Sequence, residues 1–255
     1  YDASENSSLV FAALFTLMLP ATASYAIVVT GVVVAVLVGK HAFGGAGSYP
    51  FHPAALGYAV VTVSWPDQIF RYPTPFTHVG LWDTSTATLE DASSHILRTG
   101  GVPNIPSLDL TLGNYAGPMG ATFVLVILAV ALYLLLRRRI SLELPLAFLA
   151  TSALISVLFP RVATAGTFEL MKYELLSGAL LYAAVFMLCE PTTAPKNRLA
   201  RVAYGVLAGF LTMMFRYYGA YELGVCFALL LANAFSGYLD RVCSKAAFQR
   251  RSKSL

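Results

Sequence analysis

ASYAIVVTGVVVAVLVGKHAFGGAGSYPFHPAALGYAVVTVSWP, residues 23–66, decides the fold. Residues 23–39 carry no charge before Lys40. They fall at the short end of the roughly 17 to 25 apolar residues with which a helix crosses a bilayer. Gly44, Gly45, Gly47 and Pro50 then break the run, and a second apolar segment, 52–66, is bracketed by Pro53 and Pro66. This segment is short for a full crossing, as is SLVFAALFTLMLP at 8–20, which stops at Pro20. Interrupted segments at membrane depth are tolerated only where protein or a cavity covers the freed backbone groups. They therefore point toward a site rather than toward lipid.

The rest of the chain extends this pattern. Further spans are expected at about 116–136, 143–159, 171–189, 202–216 and 222–239. Over the 255 residues, 57% are apolar and only 12% charged, against about 25% charged in an ordinary soluble domain. With a mean hydropathy of +0.68, that composition excludes a disordered chain, a disulfide scaffold and a nucleic-acid-binding domain. Cys189, Cys226 and Cys243 have no paired spacing, and His78 and His95 have no matching ligand set, so no metal is assigned. The sequence reads as an all-α polytopic membrane protein, a bundle of about eight spanning or half-spanning helices. It opens on Tyr1 with no signal-peptide pattern, which leaves room for an N-terminal piece before it.

Basic residues set the expected orientation. Alternate loops place Lys40, Arg137, Arg138, Arg139, Lys196, Arg198, Arg201, Arg241, Lys245, Arg250, Arg251 and Lys253 on one side, and Arg71, Arg98, Arg161, Lys172 and Arg216 on the other. Twelve of the 17 Lys and Arg thus share a side, which the positive-inside rule makes cytoplasmic, the basic C-terminal tail included. The long hydrophilic stretch 67–115 falls outside. It is rich in Pro, Thr, Ser and Gly, and a loop of this length without obvious secondary structure is usually functional or disordered.

Several motifs are recognisable. GKHAFGGAGSYPFHPA (39–54) resembles the G-K-x-x-F-G-G-x-G-x-N-x-F-N-P-A signature of the family containing the D subunit of the Rnf electron-transport complex and the B subunit of the sodium-pumping NADH:quinone reductase. SLVFAALFTLMLP, Gly117-Pro118-Met119-Gly120, LLSGALLYAAVFMLCEPTTAPKNRL and FRYYGAYELGVCFALLLANAF resemble further elements of that family, in order along essentially the whole chain. The closing segment favours the Rnf member of the family over its quinone-reductase cousin. The family differs at Tyr49 and His52, where it has Asn, at Ala121, where it has Glu, and at Glu190, where it has Asp.

The resemblance implies inverted repeats of broken helices, similar to urea transporters, and a flavin-bearing subunit of an ion-translocating ferredoxin:NAD oxidoreductase. In the family, FMN is joined by a phosphoester to the last Thr of a D-x-x-[ST]-x-A-T motif in an outer loop, installed by a flavin transferase. The corresponding loop here is Asp83-Thr84-Ser85-Thr86-Ala87-Thr88. Asp83 stands five residues before Thr88 instead of six, and Leu89 follows where the family has Pro. The match makes Thr88 the expected attachment residue, with Asp83, Ser85 and Ala87 as its recognition context. The resemblance also suggests a riboflavin in the membrane portion, with no residue identified for it.

Read without the family, the same residues allow other accounts. Ser and Thr cluster in turns everywhere, Glu190 near a membrane interface is either an ion-coupling group or simply solvated, and Lys172 with Glu174 reads as an interfacial charge pair. Three functions follow: an electron-carrying subunit of a membrane complex, a small-solute transporter, and a flavin-free structural subunit. The expected organisation is a first helical repeat at 1–66, an outer flavin loop at 67–115, a second repeat at 116–240 and a basic cytoplasmic tail at 241–255. Expected partners are the other subunits of an Rnf-type complex in the inner (plasma) membrane, the flavin transferase and the lipid bilayer, with no nucleic acid.

Overall fold

A computed structural model describes residues 6–77, 88–162, 166–219 and 223–252. Asp83, Ser85, Ala87 and His78 lie outside the described residues. The chain forms α1 (Ser7–Thr16), then α2 (Tyr25–Val33), which continues through a π-helical turn at Val34–Val38 and a 3-10 turn at His41–Phe43. After α3 (Pro53–Ser64) and α4 (Pro66–Ile69) comes a small antiparallel hairpin, β1 (Arg71–Pro73) with β2 (Leu89–Asp91). Two short helices, α5 (Ser93–Arg98) and α6 (Ser107–Leu112), precede α7 (Val124–Leu136) and α8 (Glu143–Leu158). A bent pair follows, α9 (Thr167–Leu176) and α10 (Leu180–Tyr182), the latter extended by a π-helical turn at Ala183–Met187, and then α11 (Arg198–Tyr218) and α12 (Gly224–Ser252).

The protein is a mostly helical membrane protein. Tyr25–Phe43, Arg198–Tyr218 and Gly224–Lys245 are long and apolar enough to cross a membrane, and the pair Thr167–Leu176 and Leu180–Met187, bent by 58°, makes a fourth crossing if taken as one broken span. Ser7–Thr16, Pro53–Ser64, Val124–Leu136 and Glu143–Leu158 are shorter apolar helices. One of these, Val124–Leu136, corrects the sequence expectation of a full span at 116–136, whereas Glu143–Leu158 follows the expected 143–159 to within one residue. The first is shortened because Gly117-Pro118-Met119-Gly120 stays a turn, with Met119 N donating to Leu19 O at 3.2 Å and Gly120 N to Leu17 O at 2.7 Å. That turn serves the carbonyls at the end of α1, which have no partner inside their own helix. The second stops at Phe159-Pro160, since proline disfavours helical backbone in the residue before it. The stretch 67–115 is not structureless: it holds the hairpin, α5 and α6.

Packing in α11 is the inverse of a soluble amphipathic helix. Leu199, Val202, Val206, Phe210 and Met214 form an exposed apolar stripe at helical spacing, whereas Ala200, Tyr204, Gly205, Ala208, Gly209, Thr212 and Arg216 are buried. In lipid the apolar stripe is the solvated face, so small and polar residues turn inward. A Cβ on Gly205 would lie 2.7 Å from Leu144 O, and one on Gly209 2.8 Å from Phe148 O. The Gly205-x-x-x-Gly209 face therefore lets α8 and α11 touch backbone to backbone. Their matching order, 144 with 205 and 148 with 209, shows the two helices to be parallel, so the bent pair α9–α10 carries the chain back between them.

Candidate functional site

The Thr88 hydroxyl singled out in the sequence sits at the neck of the hairpin. Arg71, Tyr72 and Pro73 pair with Asp91, Glu90 and Leu89, and Thr74 N donates to Thr88 O at 3.0 Å, carrying the pairing one step further. Thr88 and Thr74 thus face each other where the strands open into the loop, and their hydroxyl oxygens are 2.7 Å apart. Thr88 is exposed, while Tyr72 below it is fully buried and anchors the hairpin. An exposed hydroxyl on a pinned strand end fits phosphoester attachment of FMN, which needs an accessible oxygen nucleophile.

A second group forms where the two Gly/Pro-interrupted motifs meet. Both π-helical turns, Val34–Val38 and Ala183–Met187, run into loops, and those loops bring Tyr49 beside Glu190. The Tyr49 hydroxyl donates to Glu190 Oε1 at 2.7 Å. Thr192 Oγ1 lies 3.1 Å from Tyr49 Oη and 3.3 Å from Glu190 Oε1. Phe11 packs edge-on against both Tyr49 and His52, with ring centroids 5.5 Å apart in each case. His52 is completely buried and caps α3, its Nδ1 accepting from Ala55 N at 3.4 Å, with Pro53 in the first helical turn. Lys40, also buried, donates to Ser8 Oγ at 2.7 Å and ties the same loop to α1. Glu190 itself is half-buried. Its carboxylate has hydroxyl partners, and no cation is paired with it among the described residues.

A third cluster was not legible as a unit in the sequence. Lys172 and Glu174 do not form a pair: residues two apart on a helix point to different sides. Lys172 Nζ donates to Ser107 Oγ at 2.8 Å, whereas Glu174, only 2% exposed, lies between two arginines. Arg161 Nε is 3.2 Å from Glu174 Oε1 and Arg216 Nη1 is 3.0 Å from Oε2. Arg216 also donates from Nη1 to Glu174 O and, at 2.8 Å, from Nη2 to Ser177 O. Arg161 donates to Arg216 O and lies 4.4 Å over the Tyr217 ring. Burial lowers the Arg161 guanidinium from its ordinary value while Glu174 opposes that shift. An arginine starts so high that it stays charged. The cluster closes on the break between α9 and α10, where Gly178 has φ +70° and where a Cβ would lie 2.6 Å from Arg216 Nη2. A side chain at that residue would clash with the guanidinium that holds the break.

The two ends of the bundle keep separate partners. Glu143 pairs with Arg198 at 2.8 Å and Arg201 at 3.7 Å, and Asp240 accepts from the backbone N of Lys196 and Asn197. At the other end, Arg98 reaches Gly219 O, and Tyr115 and Tyr173 hydroxyls bind Leu176 O and Ile105 O. The family model of the NQR2, RnfD, RnfE family matches residues 1–249. The chain belongs to this family. A relative from Pseudomonas paraeruginosa, named as the D subunit of an ion-translocating oxidoreductase complex, is 32% identical over 249 residues, covering 92% of this chain and 72% of the relative. Proteins of the same name from Shigella boydii and Escherichia coli are each 32% identical over 259 residues, covering 90% of this chain and 73% of theirs. Within the NQR2, RnfD, RnfE family framework, Arg216 and Gly219 fall in the stretch FRYYGAYELG, so a motif already visible in sequence contributes half of the buried cluster. Its second arginine, Arg161, lies outside the recognisable motifs. The one signal for it was the rarity of charge at the ends of apolar segments.

Proposed function

We propose that this chain is the D-type membrane subunit of an Rnf-type ion-translocating oxidoreductase complex, and that it carries electrons through an FMN attached to Thr88 by a phosphoester. The observation that carries the reading is the exposed Thr88 hydroxyl at the closed neck of the hairpin, in a chain whose family and helical membrane fold are those of such subunits. The flavin supplies the redox chemistry; the protein supplies its attachment and placement. In this reading a flavin transferase recognises Thr88 with Asp83, Ser85 and Ala87, neighbouring subunits pass electrons to and from the outer end, and the membrane portion also holds a riboflavin. Glu190 takes part in coupling to cation movement. The division at 66, 115 and 240, with inverted repeats on either side of the outer loop, belongs to the same reading.

Intact-mass measurement of the protein purified from a host that contains the transferase tests it. The native chain should carry an FMN adduct, and Thr88→Ala should abolish it without loss of the membrane domain, since the Thr88 side chain is exposed. An adduct that survives Thr88→Ala, or none in the native chain, removes the electron-carrier reading of this loop and leaves a structural subunit.

The proposed orientation puts the loop outside the inner membrane and the basic C-terminus in the cytoplasm. It is tested by a single cysteine at Thr84, in a chain whose own Cys189, Cys226 and Cys243 have been replaced. An impermeant thiol reagent added to intact spheroplasts should label it. Protection there together with labelling of a tail cysteine would reverse the orientation.

A further inference from the structure

The hairpin neck holds more than an exposed hydroxyl. Thr74-Pro75-Phe76-Thr77 is a tight turn closed by Thr77 N donating to Thr74 O at 3.2 Å, with Pro at its second residue and Phe76 at φ 60° in its third. That is the pattern of a type II turn, whose third residue normally is Gly. Phe76 is 92% exposed, so no packing contact selects this strained backbone. The turn has a different consequence. It folds the Thr77 side chain back, so that Thr77 Oγ1 donates to Thr74 O, while Thr74 Oγ1 donates to Thr77 Oγ1 at 3.2 Å and lies 2.7 Å from Thr88 Oγ1.

Each threonine hydroxyl has one hydrogen, and a carbonyl oxygen can only accept. The direction of the whole chain of bonds follows from that. The Thr77 hydrogen goes to the Thr74 carbonyl, leaving the Thr77 oxygen to accept. The Thr74 hydrogen goes to Thr77, leaving the Thr74 oxygen to accept. The short contact to Thr88 is then a bond in which Thr88 donates. Its hydrogen is turned inward to the hairpin and its lone pairs are turned outward to solvent.

We propose that Thr74 and Thr77 are positioning residues for flavin attachment, a directional hydroxyl relay that holds the Thr88 oxygen with its lone pairs presented to the incoming flavin nucleotide. The inference rests on the proposed attachment at Thr88. The donor needed is an activated flavin nucleotide, a phosphoanhydride of FMN. Thr88 Oγ1 forms the new bond to the FMN phosphorus, the anhydride P–O bond breaks, the departing phosphate takes the bonding electron pair, and the Thr88 proton is released to water as the bond forms. A hydroxyl already oriented for that attack does not have to search rotamers within the transferase, and loss of the alignment slows the step rather than weakening binding.

The test uses the full-length chain in membranes, supplied with transferase and flavin dinucleotide, with adduct formation followed over time by intact mass. Thr74→Val and Thr77→Val should each slow loading at saturating donor by roughly tenfold or more, with the donor concentration for half-maximal rate unchanged. Thr74→Ser and Thr77→Ser, which restore the hydroxyl, should recover most of the rate. Phe76→Gly, which keeps the turn and relieves its backbone, should load like the native chain. Thr77→Val leaves the Thr74–Thr88 backbone bond and the strand pairs in place, so its effect separates the relay from general damage to the hairpin. Native loading rates in either valine variant, or no recovery with serine, overturn the relay while the attachment reading stands. A native chain without an adduct, or an adduct that persists in Thr88→Ala, overturns the attachment reading and the relay with it.

Discussion

The two ends of the helical bundle treat a carboxylate in opposite ways. Glu174 is buried between Arg161 and Arg216, and Arg216 also binds the backbone carbonyls of Glu174 and Ser177 at the break between α9 and α10. Glu190 is half-buried and faces the hydroxyls of Tyr49 and Thr192. The first has its countercharge supplied by the fold. The second faces hydroxyl donors, and no cation is paired with it among the described residues. Burial alone would have ranked Glu174 as the functional residue. The partners rank it as a structural clamp and leave Glu190 as the coupling candidate.

Substitutions can break this contrast, and the largest effect is expected at the clamp. Glu174→Ala leaves two guanidinium groups facing each other in a dry site. Removing one member of a buried ion pair costs about 3–5 kcal/mol, so this variant should lose most of its folded yield in detergent, read by thermal unfolding or size exclusion. Arg161→Met should cost less, since Glu174 keeps Arg216 and the cluster becomes a neutral pair. A larger loss than for Glu174→Ala would show that Arg161 acts mainly through Tyr217 and the Arg216 carbonyl.

At the other end, Tyr49→Phe removes the hydrogen bond to the Glu190 carboxylate and the contact with Thr192 Oγ1. It should destabilise the chain by roughly 1.5–3 kcal/mol, again by thermal unfolding. A loss as large as that of Glu174→Ala would make the Glu190 group a second clamp. The smallest stability change is expected for Glu190→Gln, because the amide can still accept from Tyr49 and Thr192. That variant should keep its covalent flavin and its melting temperature while lowering ion-coupled turnover of the assembled complex. Unchanged pumping would return Glu190 to an interfacial hydrogen-bonding role.

Much of this was legible in sequence, for a definite reason. Apolar runs, prolines and Gly-rich breaks act locally, so the short character of 8–20 and 52–66 and the helical membrane class are properties of contiguous residues. What misled was also local: the run 116–136 carries no charge, yet its first turn is spent on hydrogen bonds to Leu17 and Leu19, far earlier in the chain. Lys172 and Glu174 looked like a pair because they are neighbours in sequence. The helix separates them, and their partners come from Ser107, Arg161 and Arg216. Thr74 carried no signal of its own, because its relation to Thr88 exists only once Arg71–Pro73 and Leu89–Asp91 pair.

The sequence by itself determined the solvent of this protein, its long apolar helices and its family, since each is set by composition or by residues in a row. Tertiary structure alone decided which carboxylates meet arginines and which meet hydroxyls. Tyr49 meets Glu190 across 141 positions and Arg216 meets Glu174 across 42, through parallel packing of α8 and α11 and the bend at Gly178. Electrostatic energy falls with distance in space and with exposure to water, and neither quantity can be read along a chain before it folds.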